Sequence, residues 1–162
     1  MTDASDAPQS LDPPEYLIEC VEEALREAEG WLAWDGKPRS SEGSTWTPHK
    51  AMRRVTDHLI DHLAHTEMVL AGGEPFEDTW RGRMVTMPAD WAPFTEMDLS
   101  EAGSRLRRLA RVYAARLRAA GPEAWDAERA NDWTLRKHAE HCAASLVWYA
   151  AQPSGRVLPM PD

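Results

Sequence analysis

Cysteine is scarce in this chain, long apolar runs are missing, and basic residues are outnumbered. Two cysteines, Cys20 and Cys142, are too few for a disulfide framework and form no CxxC pair. They read as small buried thiols. No apolar stretch approaches the roughly 18 residues that a membrane-crossing helix needs. The N-terminal stretch MTDASDAPQSLDPPE lacks the basic start and apolar run of a secretory signal, so a cytoplasmic location and no membrane partner are expected. Eighteen Lys and Arg stand against 27 Asp and Glu, a net charge of −9. Phosphate backbones need a basic field, so nucleic acid is not an expected partner. There is no HExxH, which removes the zinc-protease helix. Phenylalanine is also rare, with two residues against eight tryptophans. Trp is large and carries an N–H that wants a partner when buried. These rings read either as dry core or as the lining of a cavity or interface.

What is present is helical. At 162 residues the chain suits one domain with a real core. Residues 1–13, rich in Asp, Ser, Pro and Gln, read as a flexible leader. A first helix is predicted from Pro14 to Trp34, with Leu17, Cys20, Val21, Ala24, Leu25 and Ala28 at spacings of three and four. Gly30 weakens its last turn. Residues 35–46 read as turns. A second helix starts on the Thr47 cap with Pro48 behind it and stops near Ala71, before two glycines. A third runs from Leu99 or Ser100 to Ala120, with Ser100 as cap, and a fourth from Thr134 to just before Pro153. No convincing strand pattern is present. These segments predict an all-α fold, an antiparallel four-helix bundle occupying 14–152, with an extended tail over 153–162.

Two features of the connections leave alternatives open. The crossover at 73–97 holds Phe76, Trp80, Trp91 and Phe94 between prolines and glycines. It reads as a binding loop or lid, or as a crossover packed by its own aromatics. The third helix carries Arg105, Arg107, Arg108, Arg111, Arg116 and Arg118. With Arg53 and Arg54 they make either a basic strip for an anion or a solvated face paired with glutamates of neighbouring helices.

The chemistry gathers on histidine. His58, His62 and His65 lie on the second helix, His138 and His141 on the fourth, and His49 beside the Thr47 cap, where it reads as surface. Residues four apart stand one above the other, so His58 and His62 can serve one ion. His62 and His65 can also share one. His58 and His65 are about 10 Å apart along the axis, too far for a common metal. A site on this helix therefore uses two of its three histidines and needs another ligand, which His141 or His138 can supply. Three imidazoles with an open water position suit catalytic zinc or another divalent ion. Taken singly, each histidine also reads as a half-buried, hydrogen-bonded residue.

Trp46-Thr47-Pro48 opening a histidine-bearing helix, the long crossover, and Asp132-Trp133-Thr134-Leu135-Arg136 followed by His141 together resemble the DinB-like superfamily over nearly the whole chain. The resemblance implies a four-helix bundle, commonly a homodimer. It implies Ni or Zn on one histidine of helix two and two histidines four apart on helix four. It also implies a metal-dependent enzyme, in some relatives a transferase or isomerase using a low-molecular-weight thiol such as mycothiol or bacillithiol. Ser145 stands where the family pattern has its third histidine. Three outcomes follow: a triad of His58, His62 and His141; a helix-two histidine with His138 and His141; or a bundle that binds no metal. The leading expectation is the first triad holding Zn or Ni, in a thiol-dependent transferase or small-molecule hydrolase. The alternative is a metal-free, non-catalytic bundle binding a small ligand or a protein partner. No catalytic side chain is singled out.

Overall fold

The computed structural model describes residues 12–162. Most of the leader expected at 1–13 lies outside them, and Pro13 already belongs to a helix. Among the described residues the fold is mostly helical, with five α-helices. The first, α1, spans Pro13–Glu29 and buries the apolar face read from the sequence. It does not continue to Trp34. At Gly30 the backbone tightens into a 3-10 turn, Gly30–Ala33, which buries Trp31. Glycine is the weak point that permits this change of gauge.

Residues 35–46 hold a hairpin that the turn-only reading missed. Strand β1 (Arg39–Ser41) pairs antiparallel with β2 (Ser44–Trp46), Arg39 opposite Trp46. Its two-residue turn, Glu42-Gly43, has φ of 50° and 69°, the left-handed pair that matches strand twist. Three-residue strands are too short to show alternation. Trp46 at the hairpin's end is fully buried against Trp148 and Tyr149.

Helix α2 spans Pro48–Leu70, and the Thr47 hydroxyl accepts the Lys50 N–H at its start. Lys50 is almost wholly buried. Its ammonium donates to Ser44 Oγ (2.7 Å), the Thr45 carbonyl (2.8 Å) and Thr86 Oγ1 (3.1 Å). The crossover is held on α2 by polar contacts. Arg53 binds the Asp90 carboxylate through Nε (3.0 Å) and Nη2 (2.5 Å), and also reaches the carbonyls of Gly82 and Val85. Packing by its own aromatics is not what fixes it: Phe94 alone of the four is buried, while Phe76 is 74% and Trp91 46% exposed.

Helix α3, Glu96–Ala120, begins earlier than predicted. Its cap is Thr95, not Ser100. Thr95 Oγ1 accepts the Asp98 N–H while the Asp98 carboxylate accepts the Thr95 N–H at 2.8 Å, a reciprocal capping box. A short helix, α4 (Pro122–Asp126), follows, with Trp125 Nε1 donating to the Leu117 carbonyl (2.7 Å), which also accepts the Gly121 N–H (3.0 Å). Helix α5 spans Leu135–Ala151 on the predicted Thr134 cap.

Both α1 and α2 pack against α3 and α5. Helix directions are mixed, with two neighbouring pairs antiparallel and two parallel, where an antiparallel bundle with a long crossover was expected. Glu15 meets Arg118 and Glu22 meets Arg107, so α1 and α3 are antiparallel. Arg54 meets Tyr149 and His62 meets His138, so α2 and α5 are antiparallel too. His49 lies near Asp98 and Glu67 pairs with Arg116, which makes α2 and α3 parallel, and therefore α1 and α5 as well. Parallel neighbours need a connection that travels back along the helix. At about 1.5 Å per residue α2 is roughly 35 Å long, which is why the crossover is long. The same ion pairs decide the arginine question, because Arg107, Arg116 and Arg118 are committed to glutamates on α1 and α2.

The tail is less free than its composition predicts. Arg156 pairs with Glu23 and Glu27, and Leu158 packs against the core. Both cysteines are buried free thiols.

Candidate metal centre

One flank of the α2/α5 seam carries five of the six histidines. His58 and His62 stand one turn apart on α2, with ring centroids 4.6 Å apart. Across the seam, the His141 ring is 5.2 Å from His58 and 5.3 Å from His62. One ligand nitrogen from each lies within 4.8 Å of the others, close enough to hold a metal ion. These are the residues of the leading expectation, in which helical spacing paired His58 with His62 while the ligand from the other helix was open between His138 and His141.

A second group, His65, Asp132 and His138, meets the same criterion. By its place on α2, His65 lies further round the helix than His58 and His62, toward solvent in the sequence reading. It is half-buried instead, and its Nε2 lies 2.9 Å from Asp132 Oδ2. His138 is buried, with Nε2 2.8 Å from Asp132 Oδ1. The two groups touch where His62 Nδ1 faces His138 Nδ1 at 3.2 Å. His138 therefore has both ring nitrogens occupied, which disfavours the triad that would replace an α2 ligand with it. His49 stands apart at the start of α2, against the Pro93 carbonyl.

Burial sets the protonation. Desolvation, reinforced by the positive potential of His141 and Arg54, pushes the His58 pKa down to about 3. Desolvation and the surrounding imidazoles push His62 down to about 2. His138 is also lowered by burial, against the opposing pull of its bond to Asp132. Burial works to raise the Asp132 carboxyl. Hydrogen bonds from His138, His65 and the Trp133 N–H outweigh it and hold the group at about 2. His58 and His62 are thus neutral near pH 7, the form that ligates metal.

The donor atoms follow from their partners. His141 Nδ1 lies 2.6 Å from the Asp162 backbone oxygen, an acceptor, so it carries the proton and leaves Nε2 bare. Ser145 is buried, with Oγ 3.4 Å from that Nε2. Ser145 thus brings a hydroxyl to the group from α5, and His58 brings an imidazole from the facing α2. His58 Nε2 is itself buried and has no hydrogen-bond partner. Leaving such an atom orphaned costs about 1–3 kcal/mol. A divalent ion is the partner that removes the penalty, so the residues fit the group.

Compared with protein-family models, curated proteins and solved structures, the chain matches none of them.

Around the centre, Trp133 lies over His138 and His141 at 5.4 and 5.1 Å, and Tyr149 flanks His58 at 5.6 Å. A cavity of about 920 Å³ opens beside His62, His65, Asp132 and His138. Asp61, Asp78, Arg83 and Arg129 complete its polar wall. Asp132 was read only as part of a helix start. Its link to His65 spans 67 residues and leaves no local pattern.

Proposed function

We propose that the protein is a metal-dependent enzyme of DinB-like type, in which His58, His62 and His141 hold one divalent ion, Zn or Ni. The observation that carries this reading is the convergence of three imidazoles at which the buried His58 Nε2 is unpartnered. The antiparallel pairs α1/α3 and α2/α5 and the long crossover support a four-helix bundle with one connection of the travelling kind. Bound there, the ion would supply a Lewis acid that lowers the pKa of a water or thiol. The chain's own residues do the rest. His58 and His62 present neutral imidazoles because burial keeps them from protonating. The Asp162 backbone oxygen orients His141. Trp133 shields the rings, and the neighbouring cavity admits a small molecule. Thiol transfer or hydrolysis of a small substrate is the reaction class that suits such a centre.

Elemental analysis of protein purified without chelator tests this, together with melting curves on adding Zn²⁺ or Ni²⁺. About one ion per chain and a raised Tm are expected, both lost in His141→Ala. No bound metal together with no thermal shift would sink the reading. A homodimer in the cytoplasm goes with the same proposal. The exposed Ile60 and Val112 on α2 and α3 support a dimer face, which light scattering checks.

The exposed Phe76, Trp80 and Trp91 favour a second reading, a metal-free bundle that binds a ligand or partner through the crossover. Unchanged stability in chelator, with ligand-induced quenching of Trp fluorescence, would select it.

A further inference from the structure

We infer that Asp132 and His138 are positioning residues that lock His62 as the Nδ1–H tautomer, so that its bare Nε2 is the nitrogen offered to the metal group. The inference rests on the metal-centre reading for its purpose, but the lock itself is a statement about protons in the chain.

The steps follow the hydrogen bonds from the outside inward. Asp132 accepts on both oxygens. Oδ1 takes the Trp133 N–H at 2.7 Å and His138 Nε2 at 2.8 Å. Oδ2 takes His65 Nε2 at 2.9 Å and forms an ion pair with Arg129 Nη2 at 2.5 Å. A carboxylate has about four lone-pair sites, and all are used. An acceptor opposite His138 Nε2 fixes that ring's proton there, which leaves His138 Nδ1 bare. His138 Nδ1 faces His62 Nδ1 at 3.2 Å. Two facing nitrogens at this distance need one proton between them, and only His62 can provide it. Its Nδ1 is then the donor, and Nε2 keeps the lone pair.

The same count argues against the second group as a second metal site. A cation at His65, Asp132 and His138 would have to displace the Arg129 guanidinium and strip His138 of its acceptor. The second group instead supports the first. Carboxylate–histidine arrangements behind a ligating imidazole set its tautomer and orientation, and removing them weakens metal binding by about 10–100-fold. Here the support runs through an additional imidazole.

Two measurements test this. Long-range ¹H–¹⁵N correlation spectra of the metal-free protein read the tautomer of each histidine. His62 is expected as Nδ1–H and His138 as Nε2–H, and in His138→Phe the His62 preference should relax. His62 found as Nε2–H in the native protein overturns the inference, with no variant needed. Zn²⁺ competition against a chelating dye supplies the second readout. Asp132→Asn and His138→Phe are expected to bind about 10–100-fold more weakly with one ion per chain retained, whereas His141→Ala loses binding. Native affinity in both supporting variants overturns the inference and leaves the triad standing. A stoichiometry of two ions, falling to one in Asp132→Asn, overturns it in favour of a second site. A native protein that binds no ion defeats the metal reading, and the spectra still decide the lock.

Discussion

The α1/α3 seam and the α2/α5 seam are both antiparallel helix pairs, yet they place their polar groups in opposite ways. Along α1/α3 the charges are exposed at the rim, where Arg107 grips Glu22 through two bonds of 2.8 and 2.9 Å and Arg118 reaches Glu15. Such pairs are screened by water and contribute little. Along α2/α5 five imidazoles and one carboxylate gather in the seam, with His62 and His138 buried and the His58 Nε2 buried without a partner. Burying groups that resist protonation costs stability, and nothing in helix packing requires it. One seam keeps its charges in water, and the other gathers titratable groups at the candidate metal centre.

Acid should separate the two seams most strongly. The unfolded chain binds protons on histidine near pH 6.5, whereas folded His58 does so only near 3 and His62 near 2. Stability is therefore full above about pH 6.5 and drains as pH falls toward 3. At about 1.4 kcal/mol per pKa unit the loss is on the order of 5 kcal/mol for each of the two histidines. Asp132, held near 2, adds a further loss below its ordinary 3.8. Urea unfolding of metal-free protein across this range measures it, and a flat profile would remove the electrostatic half of the comparison. Leu106→Ala, at a fully buried position on α3, comes next. It should cost about 2–5 kcal/mol in the same assay while leaving Zn²⁺ affinity unchanged. His58→Leu should do the reverse in chelator, gaining about 1–3 kcal/mol by removing an unpaired buried nitrogen while metal binding is lost. A destabilised His58→Leu would show that the α2/α5 seam is not under-satisfied. The smallest effect is expected at the rim, where a double-mutant cycle on Arg107 and Glu22 should give about 0.2–1 kcal/mol of coupling, shrinking in salt.

Those contrasts bear on what the sequence could reveal. Helices announce themselves locally, through apolar spacing and through caps such as Thr47 and Thr134, and they form where those signals lie. The pairing of His58 with His62 was legible because helical geometry says which imidazoles share a face, whereas spacing left His138 and His141 as alternatives across the bundle. The hairpin was not legible, since three residues a side show no period and Glu42 is an unusual left-handed residue. Thr95 was overlooked in favour of Ser100 although Asp98 completes its box. Helix direction, the His65–Asp132 bond and the double engagement of His138 depend on which helices become neighbours. No local pattern encodes that choice.

Lys50 has a consequence for how the molecule breathes. Its single ammonium joins the hairpin at Ser44 and Thr45 to the crossover at Thr86. Pulling either segment away strands a cation that burial already pushes toward neutrality. The two segments should consequently open as one cooperative unit, and their slowly exchanging amides, including those in β2, should share one opening free energy. The end of the fold distant from the five clustered histidines would then behave as a single hinge plate riding on the first turns of α2.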